Sequence, residues 1–241
     1  MFDFNDFDTI ALVECRRELR EVGASASSVE DAADKLVRFM YESFRNKKTG
    51  RRSCALVRFY MTQPFARLPL ELQEFVRSSV GDHRPPPEMR CLTLMGTAGV
   101  EEAWNSRARS EHHKAIALPS AAVVEQAPMV AQLVKQLGVK IEHLVRSSDE
   151  IIVDRGITRY NVFHVEEAEG SPYIPAQEDF VIPYGVKTVL GFGGLLPVGE
   201  LFAMILFSRD KISENTAKMF RTLTLVMEIP LLRNHDQVFS S

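Results

Sequence analysis

Cysteine is scarce in this chain, and so is any surplus of positive charge. Three cysteines, Cys15, Cys54 and Cys91, are spread among 241 residues. They are odd in number and widely spaced, so they suggest neither a disulfide framework nor a zinc site. In apolar, strand-like runs such cysteines behave as small hydrophobes, and a reduced, cytoplasmic protein is the reading that follows. Lys and Arg total 29 against 32 Asp and Glu, a net charge of −3. Nucleic acid demands a basic face that this balance does not supply. The local cluster Arg45, Lys47, Lys48, Arg51 and Arg52 falls between two expected elements and reads as a solvated loop. There is no apolar run of about 18 residues, so no membrane-spanning helix is expected. The opening MFDFNDFDT has three Asp and no early positive charge, and no long apolar core follows it. No secretory signal is expected from it. Internal repeats and low-complexity segments are also missing.

What remains is an ordinary globular composition, 45% hydrophobic and 25% charged, on a chain long enough to bury a sizeable core. Its organising stretch is residues 180–207, FVIPYGVKTVLGFGGLLPVGELFAMILF. Two β-rich runs, residues 187–192 and 201–207, flank a connection holding Gly193, Gly194, Pro197 and Gly199. Branched and aromatic residues pack well on a pleated surface, and Gly and Pro supply turn dihedrals. The spacing predicts a long antiparallel hairpin in the centre of a sheet.

Ahead of that hairpin, residues 9–22 read as a helix with a narrow apolar stripe. Ser27-Ser28-Val29-Glu30 fits a capping box. Downstream of it Ala32, Ala33, Leu36, Phe39, Met40 and Phe44 recur at helical spacing, giving a broad buried face. Residues 54–61 and 89–95 read as strands, with a short helix over 70–80 between them. The Pro85-Pro86-Pro87 run forces an extended connection. Residues 121–137 have a helical period that Pro128 either kinks or begins. Short apolar runs at 141–145 and 150–153 are of either type. Residues 160–165 alternate as a strand, residues 166–179 form an acidic surface loop, and residues 213–232 form a last helix capped by Ser213.

This order describes an α+β fold, a central antiparallel sheet flanked by helices. The run Tyr184-Gly185-Val186-Lys187-Thr188-Val189-Leu190, then Gly199-Glu200-Leu201-Phe202-Ala203-Met204-Ile205-Leu206-Phe207-Ser208, then the helix from Ser213, resembles the C-terminal half of a GAF domain. In that family a similar pattern occupies the last two strands and precedes a closing helix. Gly191-Phe192-Gly193-Gly194 departs from the family's usual Val-Pro-Leu. The match covers the last third of the chain, and pattern alone extends it upstream. Residues 96–120 and 171–183 also resemble sensory segments found N-terminal to bacterial histidine kinases. The resemblance implies a GAF-like input domain over residues 27–233, preceded by a possible dimerisation arm at 1–26 and followed by a tail at 234–241. It would be a stand-alone module or an excised input domain of a two-component system.

The polar stretch 101–114, EEAWNSRARSEHHK, holds the chain's one Trp. An aromatic plate, guanidinium donors and imidazoles together suit an anionic or planar ligand. Trp104, Asn105, Arg107, Arg109 and His113 are therefore candidate ligand contacts, with Tyr173 and Tyr184 at the pocket rim. The alternative is an exposed helix whose Trp covers the core edge and whose charges are solvated. His112, His113 and His164 are too poorly spaced to chelate one ion, so no metal site is expected. Ser110 precedes His112 by two residues without a nucleophile elbow, and no catalytic residue is assigned. The cofactor is left unknown. The expected function is a non-enzymatic signal-input domain that binds an unidentified small molecule between the sheet and residues 96–120. A homodimer through the terminal helices and a signalling effector would be its partners. Two alternatives stand beside it: a structural dimerisation module without ligand, and a small-molecule enzyme using Ser110 and His113.

Overall fold

Two adjacent strands carry the centre of the molecule. In the computed structural model, which describes residues 1–81, 84–145 and 161–240, β5 (Thr188–Leu195) pairs antiparallel with β6 (Leu201–Ser208). Gly191 faces Ile205 across that ladder. Leu196 and Gly199 close the turn through a 2.9 Å backbone hydrogen bond, with Pro197 presetting its first dihedral and Gly199 at φ 82. β6 pairs in turn with β1 (Cys54–Pro64), β1 with β2 (Arg90–Gly99), and β2 with β3 (Ala115–Leu118). On the far side β4 (Asn161–Val165) pairs with β5. The order is β3-β2-β1-β6-β5-β4, antiparallel throughout.

One face of the sheet is covered by long helices. These are α1 (Thr9–Ala24) and α2 (Val29–Ser43), with α8 (Glu214–Phe220) and α9 (Thr224–Arg233) joined by a 3₁₀ turn. The expected capping box is present but one residue later. Ser28 accepts from the Asp31 amide at 3.0 Å, and Asp31 reaches back to the Ser27 amide at 2.9 Å. Glu30, at the second helical position, is thereby released for other partners. α2 crosses β2 closely, and a Cβ added at Gly96 would lie 2.7 Å from the Ala33 backbone. Next to the crossing, Phe2, Phe4, Phe7, Phe44 and Phe220 interlock, with Phe4 and Phe44 stacked at 4.6 Å. Phe2 is tied to the end of α2 by two 2.8 Å backbone hydrogen bonds. The N-terminal residues are thus part of this core.

On the long-helix side α3 (Leu70–Val80) packs beside β3 over a small separate core that includes Cys91 and Ala115. Shorter pieces cover the opposite face. The helix expected over 121–137 is two helices, α4 (Ala121–Glu125) and α5 (Pro128–Gln136), because Pro128 opens the second one as its first residue. α6 (Ile141–Val145) follows, and the single-turn α7 (Ile182–Tyr184) precedes β5 after a π turn at Gln177–Val181. The run at 150–153 lies outside the described residues. Residues 101–114 are not a helix: a 3₁₀ turn at Glu102–Asn105 leads into a loop and then β3, whose four residues alternate too briefly to stand out in sequence. β2 runs through Gly96 to Gly99, four residues past its expected end.

Candidate functional site

The seven candidate contacts do not converge on one place. Asn105 is a backbone clip. Its amide nitrogen donates to the carbonyls of Gly99 and Glu101 at 3.0 and 2.8 Å, and its oxygen accepts from the Gly99 amide at 3.2 Å. Arg107 turns toward the long-helix side, where it pairs with Glu30 at 2.6 Å and lies 5.4 Å from the Phe239 ring. Arg109 is exposed and pairs with Glu102. Tyr173 borders a hollow of about 680 Å³ with Pro128, Lys135, Val139 and Ile141. His113 borders another, of about 730 Å³, with Phe75, Val80, Ile116 and Pro119. Trp104 borders neither of these two.

Trp104 and Tyr184 do come together. Their rings are 4.6 Å apart, and Phe180 completes the group at 5.5 Å from Trp104 and 5.7 Å from Tyr184. Phe180 stands edge-on to Phe207 of β6 at 5.0 Å, which anchors the trio to the second sheet face. A Cβ added at Gly99 would meet the indole at 2.8 Å, so a glycine is what lets Trp104 lie against the strand. Thr97 donates to the Trp104 carbonyl at 2.8 Å and fixes the turn. The Tyr184 phenol is pushed above its ordinary pKa by desolvation, with the Glu101 carboxylate adding to it.

Sequence reasoning missed the residue next to this trio. Arg58 lies opposite Thr97 on β1, and Thr97 is two residues from Gly99 along β2, about 6.8 Å at strand spacing. Alternation puts Arg58 on the same face as Tyr60, and one guanidinium nitrogen donates to the Tyr60 hydroxyl at 3.1 Å. Tyr60, Ile205 and Ala203 belong to the apolar core of that face. The Arg58 Nε is buried and has no hydrogen-bond partner, and no ion pair with Arg58 forms among the described residues. The available signal was a single cation inside the apolar strand run CALVRFYM, two residues before a Tyr.

His113 relates to this arrangement through charge. The residue is exposed overall, yet its imidazole is crowded by protein, and that desolvation is the first cause of a pKa below the ordinary value. The positive charge of Arg58 acts in the same direction, followed by His112, so the direction does not rest on burial alone. His113 has φ 61, the one non-glycine residue in the left-handed region among those described.

Other candidate chemistry is accounted for locally. Ser110 donates its hydroxyl to the Ser106 carbonyl at 3.1 Å. The His164 ring pairs with the Ile212 carbonyl at 2.9 Å. Among the described residues no three His, Cys, Asp or Glu side chains are grouped to hold a metal. The cysteines sit apart on α1, β1 and β2 and are all buried. Burial pushes the Cys15 and Cys91 thiols up to about 12 and raises Cys54 further. No helix among the described residues is long and apolar enough to cross a membrane. A second buried charge cluster lies at the hairpin turn, where Glu200 pairs with His235 at 3.0 Å. Burial raises the Glu200 pKa against the opposing pull of His235 and Arg90.

Sheet order, antiparallel pairing and helices on both faces give the α+β architecture that the GAF-like resemblance implies. A free methionine-R-sulfoxide reductase from Neisseria meningitidis, solved with its substrate, aligns with 95% of this chain and 93% of its own at TM-score 0.50 and 10% identity. The GAF domain of a phosphoenolpyruvate-protein phosphotransferase from Coxiella burnetii aligns with 94% of this chain and 96% of its own, at TM-score 0.48 and 9% identity. Its Acinetobacter counterpart gives 93% and 95%, at 0.44 and 12%. No protein-family model matches the sequence, and no curated protein matches it. The likeness is one of fold.

Proposed function

We propose that this chain is a non-enzymatic signal-input domain that binds a small molecule on the second face of its sheet, beside the Trp104 turn. The observation that carries the reading is the polar pair Arg58 and Tyr60 set into an otherwise apolar sheet face, next to Trp104 and Tyr184. A buried guanidinium nitrogen without a partner costs stability. Arg16 has another, so at Arg58 it is the setting beside Tyr60 and the Trp104–Tyr184 rings that points to a site. Trp104, Tyr184, Arg58, Tyr60 and His113 are the proposed contacts. Asn105 holds the Trp104 turn in place. Arg107, Arg109 and Tyr173 lie outside this set.

Output would pass to a signalling effector through a homodimer, on the outer faces of the terminal helices. Ile10 and Val13 of α1 are 70% and 59% exposed, and Leu225 and Ile229 of α9 are 45% and 56% exposed. α1 and α9 pack against each other, so both rows belong to one helical layer. The proposed setting is the cytoplasm, without nucleic acid or membrane as partner. These exposed rows also favour a second reading, a dimerisation module that needs no ligand. A reductase like the Neisseria protein is disfavoured, because thiol chemistry runs through the thiolate and these thiols are buried, dispersed and raised in pKa.

Trp104 is the chain's one Trp, so its fluorescence reports on the proposed site alone. A screen of small acids, nucleotides and haem should produce at least one compound that shifts both the Trp104 emission and the melting temperature. A screen in which none does, with a concentration-dependent dimer by sedimentation, overturns the sensor in favour of the dimerisation module.

A further inference from the structure

We infer that the ligand is a compact monocarboxylic acid, its carboxylate held by the Arg58 guanidinium and the Tyr60 hydroxyl and its apolar body lying toward Trp104. The inference deepens the sensor reading and rests on it.

Three observations carry it. The first is unused donor capacity. A guanidinium has five N–H donors in a rigid fork, and among the described residues Arg58 donates to one acceptor, the Tyr60 hydroxyl. Its Nε is shut off from solvent and unpartnered, so a ligand reaches the group at its Nη end, where Tyr60 already lies. The two Nη nitrogens present parallel N–H groups, the geometry that matches the two oxygens of a carboxylate. Tyr60 is correspondingly free on one side, since its hydroxyl accepts from Arg58 and keeps its own proton to donate.

The second observation is the count of charge. No acidic side chain pairs with Arg58 among the described residues, so its guanidinium is open to an anion. The carboxylate placed at the aromatic group, Glu101, acts on the Tyr184 phenol instead. His113, the neighbouring basic group, has a pKa pulled below the ordinary imidazole value, by desolvation first and then by Arg58 itself. Arg107 is committed to Glu30 and Arg109 to Glu102. One guanidinium balances a monoanion, whereas a phosphate dianion in an apolar setting calls for more. The third observation is the surroundings. Ala203 and Ile205 of β6, with Leu94 of β2, belong to the apolar core on this face, and the Trp104–Tyr184–Phe180 group lies about two residues along the strands. An apolar body joined to one carboxylate fits that combination.

The test uses the full chain at pH 7.5 with benzoate, 3-phenylpropionate and hexanoate as probes, each beside its uncharged carboxamide and all beside inorganic phosphate. Binding is read by Trp104 emission and calorimetry. At least one acid should bind roughly 10- to 100-fold more tightly than its amide, the worth of a charge-assisted hydrogen bond. Arg58→Met should abolish that preference while leaving the circular dichroism spectrum and melting temperature of a folded protein. Arg58→Lys should restore the preference only partly, because an ammonium lacks the fork, and Tyr60→Phe should reduce it. Amides that bind as tightly as acids leave the sensor reading intact and overturn the carboxylate. Phosphate binding more tightly than every acid does the same. A preference that survives in Arg58→Met overturns the assignment to Arg58. If no probe binds at 10 mM while the broader screen yields a neutral ligand, the carboxylate inference alone fails; if both are silent, both readings fail.

Discussion

The two faces of the sheet are built to different standards. Under the long helices, α2 approaches β2 as closely as backbone allows, and five phenylalanines interlock. On the other face the cover is a set of short helices and turns, and an arginine stands in the middle of the strand surface. The first face holds the fold together. The second gives up some of that quality, which is the pattern of a surface kept for binding. Truncating one large aromatic residue on each face tests the contrast. Phe44 is fully buried and touches Phe2, Phe4, Phe7 and Phe220. Phe44→Ala should lose about 3–5 kcal/mol in urea denaturation. Trp104 is half-buried and packs on Phe180 and Tyr184, and Trp104→Ala should lose about 1–2 kcal/mol. Equal losses would mean that both faces are structural.

Much of this architecture is legible in the sequence. The hairpin of β5 and β6 could be read because its runs are long, apolar and separated by Pro197 and Gly199, a local signal that tertiary contacts had no reason to override. The cap at Ser213 was legible for the same reason, whereas the box at the start of α2 was expected at Ser27 and forms at Ser28. β3 was not, since four residues at a sheet edge carry too short an alternation. The polar turn at 101–114 misled in a different way. Its side chains were visible, but whether Arg107 faces a ligand or Glu30 depends on how α2 lies against β2, and that is a long-range fact. Arg58 escaped notice because a strand read only for its hydrophobic period treats a single cation as noise. Taken for its face and its neighbour Tyr60, it stands out.

The glycines sharpen the same comparison at a smaller scale. On the long-helix face, a Cβ at Gly96 would press on the Ala33 backbone, which cannot swing away. On the opposite face, a Cβ at Gly191 would meet the tip of Leu133 at 3.0 Å and the Phe163 side chain at 3.2 Å. Gly96→Ala should therefore cost about 1–3 kcal/mol, as α2 is forced off the sheet. Gly191→Ala should cost less, because side chains on α5 and β4 can rotate. Thermal melts of the two variants in parallel decide the point, and a larger loss at Gly191 would show that the second face is the tighter one.

The smallest effect is expected where the two faces each present an arginine. Arg107 has a 2.6 Å ion pair with Glu30 and a carbonyl acceptor at Leu94, with both charged side chains about one-fifth exposed. Removing it leaves a partly buried carboxylate with the Ser240 amide as its remaining donor, and Arg107→Met should cost about 1–2 kcal/mol. Arg58 strands nothing of the kind when it is removed, since its one described acceptor is a hydroxyl that can turn elsewhere. Replacing it by Met also relieves the desolvation of an Nε that has no partner. Arg58→Met should leave the melting temperature of the ligand-free protein unchanged or raise it by an amount worth up to about 1 kcal/mol. The sign is what matters. A residue retained for stability would show a loss as large as that of Arg107, and a clear drop in melting temperature for Arg58→Met without ligand would return this arginine to the scaffold and remove the main support for a binding face.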